Sequence, residues 1–197
     1  MIIYADTGDI WTFRDVDRIS NKVAHYFLSL GYEKGDVVAI FMENHPKYMV
    51  ILLGLAKIGV VAALINNNLT EDSLTYTINL AKCRAIVYQH DLENVVAPIS
   101  ANLITQKSPF QFFCVGNGFR MANKMGGVTD LDDAIRGFPE ISVPRRVRKS
   151  FNWNDDFCYI FTSGTTGLPK ASSGDHGRYC LGKENQTFYL KLMQPNN

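Results

Sequence analysis

Tyr159-Ile160-Phe161-Thr162-Ser163-Gly164-Thr165-Thr166-Gly167-Leu168-Pro169-Lys170 is the stretch on which the reading of this chain turns. An apolar run, Cys158 to Phe161, leads into a loop of hydroxyls and glycines that ends in a lysine. The pattern predicts a buried strand that delivers a phosphate-binding loop. Gly164 and Gly167 let the backbone bring its N–H groups close to an anion. Thr162, Ser163, Thr165 and Thr166 add hydroxyl donors. Lys170 adds a mobile point charge, and Pro169 stiffens the chain just before it. The spacing is not that of a Walker A loop, where lysine directly follows the second glycine and Ser or Thr follows the lysine. Here Leu168 and Pro169 intervene and Ala171 follows. A plain surface turn has no need of so many hydroxyls, glycines and a lysine together.

Upstream of the loop, apolar runs alternate with amphipathic ones. Residues 2–5 and 10–13 flank Asp6-Thr7-Gly8-Asp9 and predict a hairpin. Thr12 and Asp15 have the spacing of a capping box. Val16, Ile19, Val23, Phe27 and Leu30 follow at helical intervals, up to a stop at Gly31. Val37 to Met42 is a continuous apolar strand. Asn44 is the expected cap of a helix that starts at Pro46 and ends before Gly59, and Val60 to Ile65 is the next strand. Thr70-Glu71-Asp72 opens another helix. Arg84 to Tyr88 is a strand, a weaker helix covers residues 91–103, and Phe110 to Val115 is a further strand. Leu131 to Ile135 predicts a short helix. The alternation predicts an α/β fold with a largely parallel sheet and helices on both faces.

The chain of 197 residues is the size of one domain, or one and part of another. Its net charge of +1 gives no global field for nucleic acid, which is excluded as a partner. Cys83, Cys114, Cys158 and Cys180 are far apart and form no CxxC; they read as reduced, buried thiols, with a single disulfide as the alternative. No signal peptide is visible. Tyr48 to Ile65 is apolar and about long enough to span a bilayer, but Lys57 lies near its middle between Gly54 and Gly59. A charge at mid-bilayer costs at least about 2.5 kcal/mol, so a helix, a glycine stop and a strand are expected instead. Arg145, Arg146, Arg148 and Lys149 form a basic cluster before the loop; a solvated linker and a membrane-surface or nuclear-import patch are its alternative readings.

The loop resembles that of the adenylate-forming enzymes, which activate carboxylates with ATP. Gly35-Asp36-Val37-Val38-Ala39-Ile40-Phe41-Met42-Glu43-Asn44, Leu53-Gly54-Leu55-Ala56-Lys57-Ile58-Gly59-Val60 and Ala62-Ala63-Leu64-Ile65-Asn66 add to the likeness. Within that superfamily the chain most resembles the fatty acid transport proteins, or very long-chain acyl-CoA synthetases, from about residue 4 to Ala171, with residues 92–150 matching loosely. The resemblance implies two steps. A fatty acid carboxylate attacks the α-phosphate of ATP, giving acyl-adenylate and pyrophosphate; the thiol of coenzyme A then displaces AMP. It also implies that Tyr159 to Lys170 holds the ATP phosphates, that Mg2+ and CoA serve the full-length enzyme, and that the enzyme is associated with the endoplasmic reticulum or plasma membrane.

The resemblance carries further expectations about extent. Family enzymes are much longer, with a membrane-anchoring segment ahead of the hairpin. After the loop they carry a Tyr-x-x-Thr-Glu stretch with the magnesium-binding glutamate, a ribose-binding aspartate and a C-terminal lysine. Residues 1–171 are therefore expected to form an incomplete N-terminal AMP-binding domain, inactive as a ligase alone. Residues 172–197 are expected to be a divergent tail, either an alternative exon, intron read-through or gene-model error, or a natural variant. His176 reads as a bystander there. Two other functions compete: a non-catalytic nucleotide-binding or interaction protein, a short form that pairs with the full-length enzyme, and adenylation of a different carboxylic acid.

Overall fold

A computed structural model describes residues 2–4, 8–105, 109–116, 125–162 and 170–177. The expected hairpin is present as β1 (Ile2–Ile3) paired antiparallel with β2 (Ile10–Trp11). It leads into α1 (Phe13–Ser29), whose predicted capping box is formed. The Asp15 N–H donates to Thr12 Oγ1 at 3.1 Å, and the Thr12 N–H donates to Asp15 Oδ2 at 3.0 Å. Then follow β3 (Val37–Phe41), α2 (Pro46–Ala56), β4 (Val61–Leu64), α3 (Glu71–Leu80) and β5 (Ala85–Gln89). After these come α4 (Glu93–Val96), β6 (Gln111–Val115), β7 (Val128–Asp130), α5 (Leu131–Ala134), β8 (Asp156–Thr162) and β9 (Lys170–Asp175).

Seven strands make the main sheet, in the order β7-β6-β5-β3-β4-β8-β9. Every neighbouring pair is parallel except β8 with β9. The central strands are buried on both faces, which is why β3 reads as an unbroken apolar run. Val38 and Ile40 face one core with Val23 and Phe27 of α1 and Ile51 and Leu55 of α2. Val37, Ala39 and Phe41 face the other, with Leu74 and Ile78 of α3.

Two local expectations are corrected. Asn44 does not cap α2; His45 does, its Nδ1 accepting the Lys47 N–H at 3.0 Å. A residue before proline is driven into extended backbone, the conformation an N-cap needs, so the cap falls directly before Pro46. The weaker helix over 91–103 is broken into a 3-10 turn (His90–Leu92), the short α4 and a second 3-10 stretch (Ala97–Asn102). Pro98 brings no N–H to a continuous α-helical ladder.

The apolar stretch 48–65 divides as expected. α2 has 11 residues, Gly59 turns the chain with φ +74°, and β4 follows. Among the described residues no helix is long and apolar enough to cross a membrane. Lys57 has a packing role: its Nζ reaches Asp17 Oδ1 at 2.6 Å and Ser20 Oγ and Asn21 Oδ1 at 2.7 Å each, fastening α2 to α1. Burial lowers its pKa and Asp17 opposes the shift.

Candidate functional site

β8 carries four of the predicted site residues: Tyr159, Ile160, Phe161 and Thr162. Lys170 opens β9. The remaining residues, Ser163, Gly164, Thr165, Thr166, Gly167, Leu168 and Pro169, lie outside the described residues. Thr162 is the register partner of Lys170, and Phe161 of Ala171. The hydroxyl-rich segment is therefore closed at its base by a strand pair, with the threonine and the lysine opposite each other. β9 continues across the expected boundary at residue 171: Ser172 pairs with Ile160, and Asp175 with Asp156.

β8 also pairs in parallel with β4, Leu64 opposite Ile160. Both strands end at the same edge of the sheet, and that register carried two residues further brings Asn66 level with Thr162. Open α/β sheets bind ligands outside the carboxyl ends of their strands. The loop leaves from such an end.

The expected burial of Cys158 to Phe161 holds only in part. Phe157 and Cys158 are buried, Tyr159 and Phe161 half-buried, and Ile160 is 43% exposed. β8 has β9 on its outer side, and β9 begins with exposed residues. The side chains alternate across a strand, so Tyr159 and Phe161 pack toward the α3 core while Ile160 and Thr162 stand out on the other face. The Tyr159 hydroxyl donates to Asp156 Oδ2 at 2.9 Å. Burial, and then the Asp156 carboxylate, push its pKa up to about 12, so it is a neutral donor at ordinary pH.

Further along the same edge is a junction that the sequence did not announce. Lys47 Nζ, in the first turn of α2, meets Asp132 Oδ2 at 2.7 Å, and the Gly116 N–H donates to the same oxygen at 2.9 Å. The junction ties α2 to α5 and the end of β6. Next to it the His45 ring lies 4.7 Å from that of Tyr4, and burial lowers its pKa. The sequence signal was the His45-Pro46 pair; the partners are too distant in the chain to be read from it. Cys83, Cys114 and Cys158 are buried thiols outside any disulfide, and burial pushes Cys114 up to about 12. Buried thiols with raised pKa are poor nucleophiles.

The arrangement is suited to gripping an anion. Thr162 and Lys170 are register partners at the root of a segment rich in donors, and charge-assisted hydrogen bonds are the strong ones. Among the described residues no group of three or more His, Cys, Asp or Glu could hold a metal ion. The magnesium implied by the resemblance has no ligand set among them.

A largely parallel sheet covered by helices on both faces, with a segment rich in hydroxyls and glycines following a strand's carboxyl end in the sequence, defines an open α/β domain. The chain belongs to the AMP-binding enzymes: the family model matches residues 1–189. It is 38% identical to long-chain fatty acid transport protein 1 of Rattus norvegicus over 178 residues, which is 90% of this chain and 27% of the relative. It is 38% identical to long-chain fatty acid transport protein 6 of Homo sapiens over 172 residues, 87% of this chain and 26% of that one. The chain thus spans about a quarter of these relatives' length. Among solved structures, an anthranilate CoA ligase in complex with anthranoyl-AMP superposes with a TM-score of 0.75 at 23% identity, covering 86% of this chain and 30% of that one. A fatty acyl CoA synthetase of Mycobacterium tuberculosis superposes with 0.66 at 22%, covering 88% and 31%. These likenesses show that the fold is that of the N-terminal part of acyl-CoA ligases.

Proposed function

We infer that this chain supplies the phosphate-gripping wall of an ATP-dependent fatty acyl-CoA ligase that also serves fatty acid transport. The observation that carries the reading is the strand pair closing the loop, with Thr162 and Lys170 opposite each other, in a chain 38% identical to long-chain fatty acid transport proteins. In the adenylation step ATP supplies the activated α-phosphate, which the fatty acid carboxylate attacks, and pyrophosphate leaves. What these residues do is electrostatic. Lys170 places its ammonium, and Thr162 its hydroxyl, where the phosphate charge shifts toward the leaving group. Preorganised donors of this kind lower the barrier without having to rearrange. Tyr159 and Phe161 anchor the strand in the core and fix where the donors stand. Mg2+, CoA and an association with the endoplasmic reticulum or plasma membrane belong to the same reading.

The test is titration of the purified chain with ATP, wild type against Lys170→Ala. A charge-assisted hydrogen bond contributes about 1.5–3 kcal/mol, so the variant is expected to bind about tenfold to a hundredfold more weakly. Equal affinities would remove the loop from the nucleotide site. The acid is tested separately with non-reactive acyl-adenylate analogues. A long-chain acyl analogue is expected to raise the melting temperature more than an anthranoyl one; the reverse order would favour an aromatic acid.

A further inference from the structure

The basic turn at residues 145–149 is a fixed feature of the fold. Pro144 leads into a 3-10 turn, Arg145–Arg148, followed by Lys149. The turn is held from both sides by the core. Val143 is 2% exposed and Val147 packs against the same cluster as α1 and α2. With three residues per turn, positions three apart eclipse. Arg145 therefore stacks over Arg148 and Arg146 over Lys149, while Val147 occupies the third, inward face. Arg145, Arg146 and Lys149 are exposed and Arg148 half-buried.

The nearby carboxylates are committed elsewhere. Glu140 pairs with Arg18 and Lys22 at 3.1 Å each, Asp155 with Lys34 at 2.7 Å and Asp17 with Lys57 at 2.6 Å. Among the described residues none of the four cations of the turn is in an ion pair. Large apolar side chains flank it in the chain: Ile141 is 74% exposed and Trp153 is 51% exposed.

We propose that this turn, with Ile141 and Trp153, is a docking surface for an anionic phospholipid bilayer. Four cations without an ion pair among the described residues match a negatively charged headgroup layer, and tryptophan is at home where one side is apolar and the other wet. A nucleic acid fits less well. The patch is a single turn, the whole chain carries only +1, and nucleic-acid domains present broad basic faces. The inference deepens the membrane association in the proposed function but rests on this patch and not on the ATP site, so the two assays fail separately.

The experiment is vesicle sedimentation with the full chain. Vesicles contain either phosphatidylcholine alone or equal parts phosphatidylcholine and phosphatidylserine. Each cation near such a surface contributes about fivefold to binding. Wild type is expected to bind the anionic vesicles at least about tenfold more tightly than the neutral ones, and to lose this at high salt. The variant R145Q/R146Q/R148Q/K149Q is expected to lose the preference while keeping its circular dichroism spectrum. Arg146→Glu, a single exposed change, is expected to weaken it several-fold. In a Trp11→Phe background, emission from Trp153 is expected to shift to the blue on anionic vesicles only. Equal binding by wild type and the fourfold variant would overturn the proposal. So would binding of a single-stranded RNA with the same charge dependence but no binding to vesicles.

Discussion

His176 lies with its ring 5.2 Å from that of Phe157 and 6.5 Å from that of Phe151, and is 6% exposed. The His176 backbone N–H donates to the Asp155 carbonyl at 3.0 Å, and the Gly177 backbone N–H to the Trp153 carbonyl at 2.8 Å. Burial lowers its pKa, against the raising influence of Asp155 and Asp175. A histidine whose folded pKa lies below the unfolded value adds nothing to instability above about pH 6.5. Below that, the unfolded chain takes up the proton first, and stability is lost as the pH falls toward the folded value. His45 acts in the same direction. Thermal melts are therefore expected to give a falling midpoint between about pH 7 and pH 5, and His176→Leu is expected to flatten part of that slope. A variant with an unchanged slope would remove His176 as a source. In the sequence this histidine looked like a bystander among glycines. Its apolar surroundings come from strand pairing and from residues far back in the chain, and neither is visible locally. His45 was missed for a different reason: Asn44 is the better cap by residue type, but the proline decided the position.

At the scale of elements, the contact between α1 and α2 depends on a missing side chain. A Cβ at Gly54 would lie 2.6 Å from Val23 Cβ and Cγ1 and 2.9 Å from the Ser20 carbonyl oxygen. The helices approach this closely, with Lys57 bonded to Asp17, Ser20 and Asn21 beside the contact, because Gly54 offers no obstacle. Gly54→Ala is expected to destabilise the fold by about 1–3 kcal/mol, the ordinary cost of overpacking, even though alanine is the better helix former by about 1 kcal/mol. Urea denaturation gives the sign: a more stable variant would mean that the helices separate without cost. Helix α1 was readable in the sequence because its cap, its period and its glycine stop agree. The segment 91–103 was not, since its apolar period continues through a proline that forbids a single helix.

For the molecule as a whole, the parallel sheet was legible because buried strands announce themselves as apolar runs between helices. The strand order was less so. β8 returns to pair with β4 from nearly a hundred residues away, and no local pattern encodes that. The half-exposure of Ile160 was hidden for the same reason, since it depends on which strand lies outside β8. The loop stood out by composition, because the proposed phosphate binding calls for hydroxyls, glycines and a cation whatever the surrounding fold. What the sheet adds is the closure of its base by Thr162 and Lys170 at a strand's carboxyl end. The central claim is that this closure makes one wall of a nucleotide site. Titration of the purified chain with ATP, wild type beside Lys170→Ala, tests it most directly. Measurable binding is expected of wild type, weakened about tenfold or more in the variant; identical binding curves would overturn this role for the strand pair.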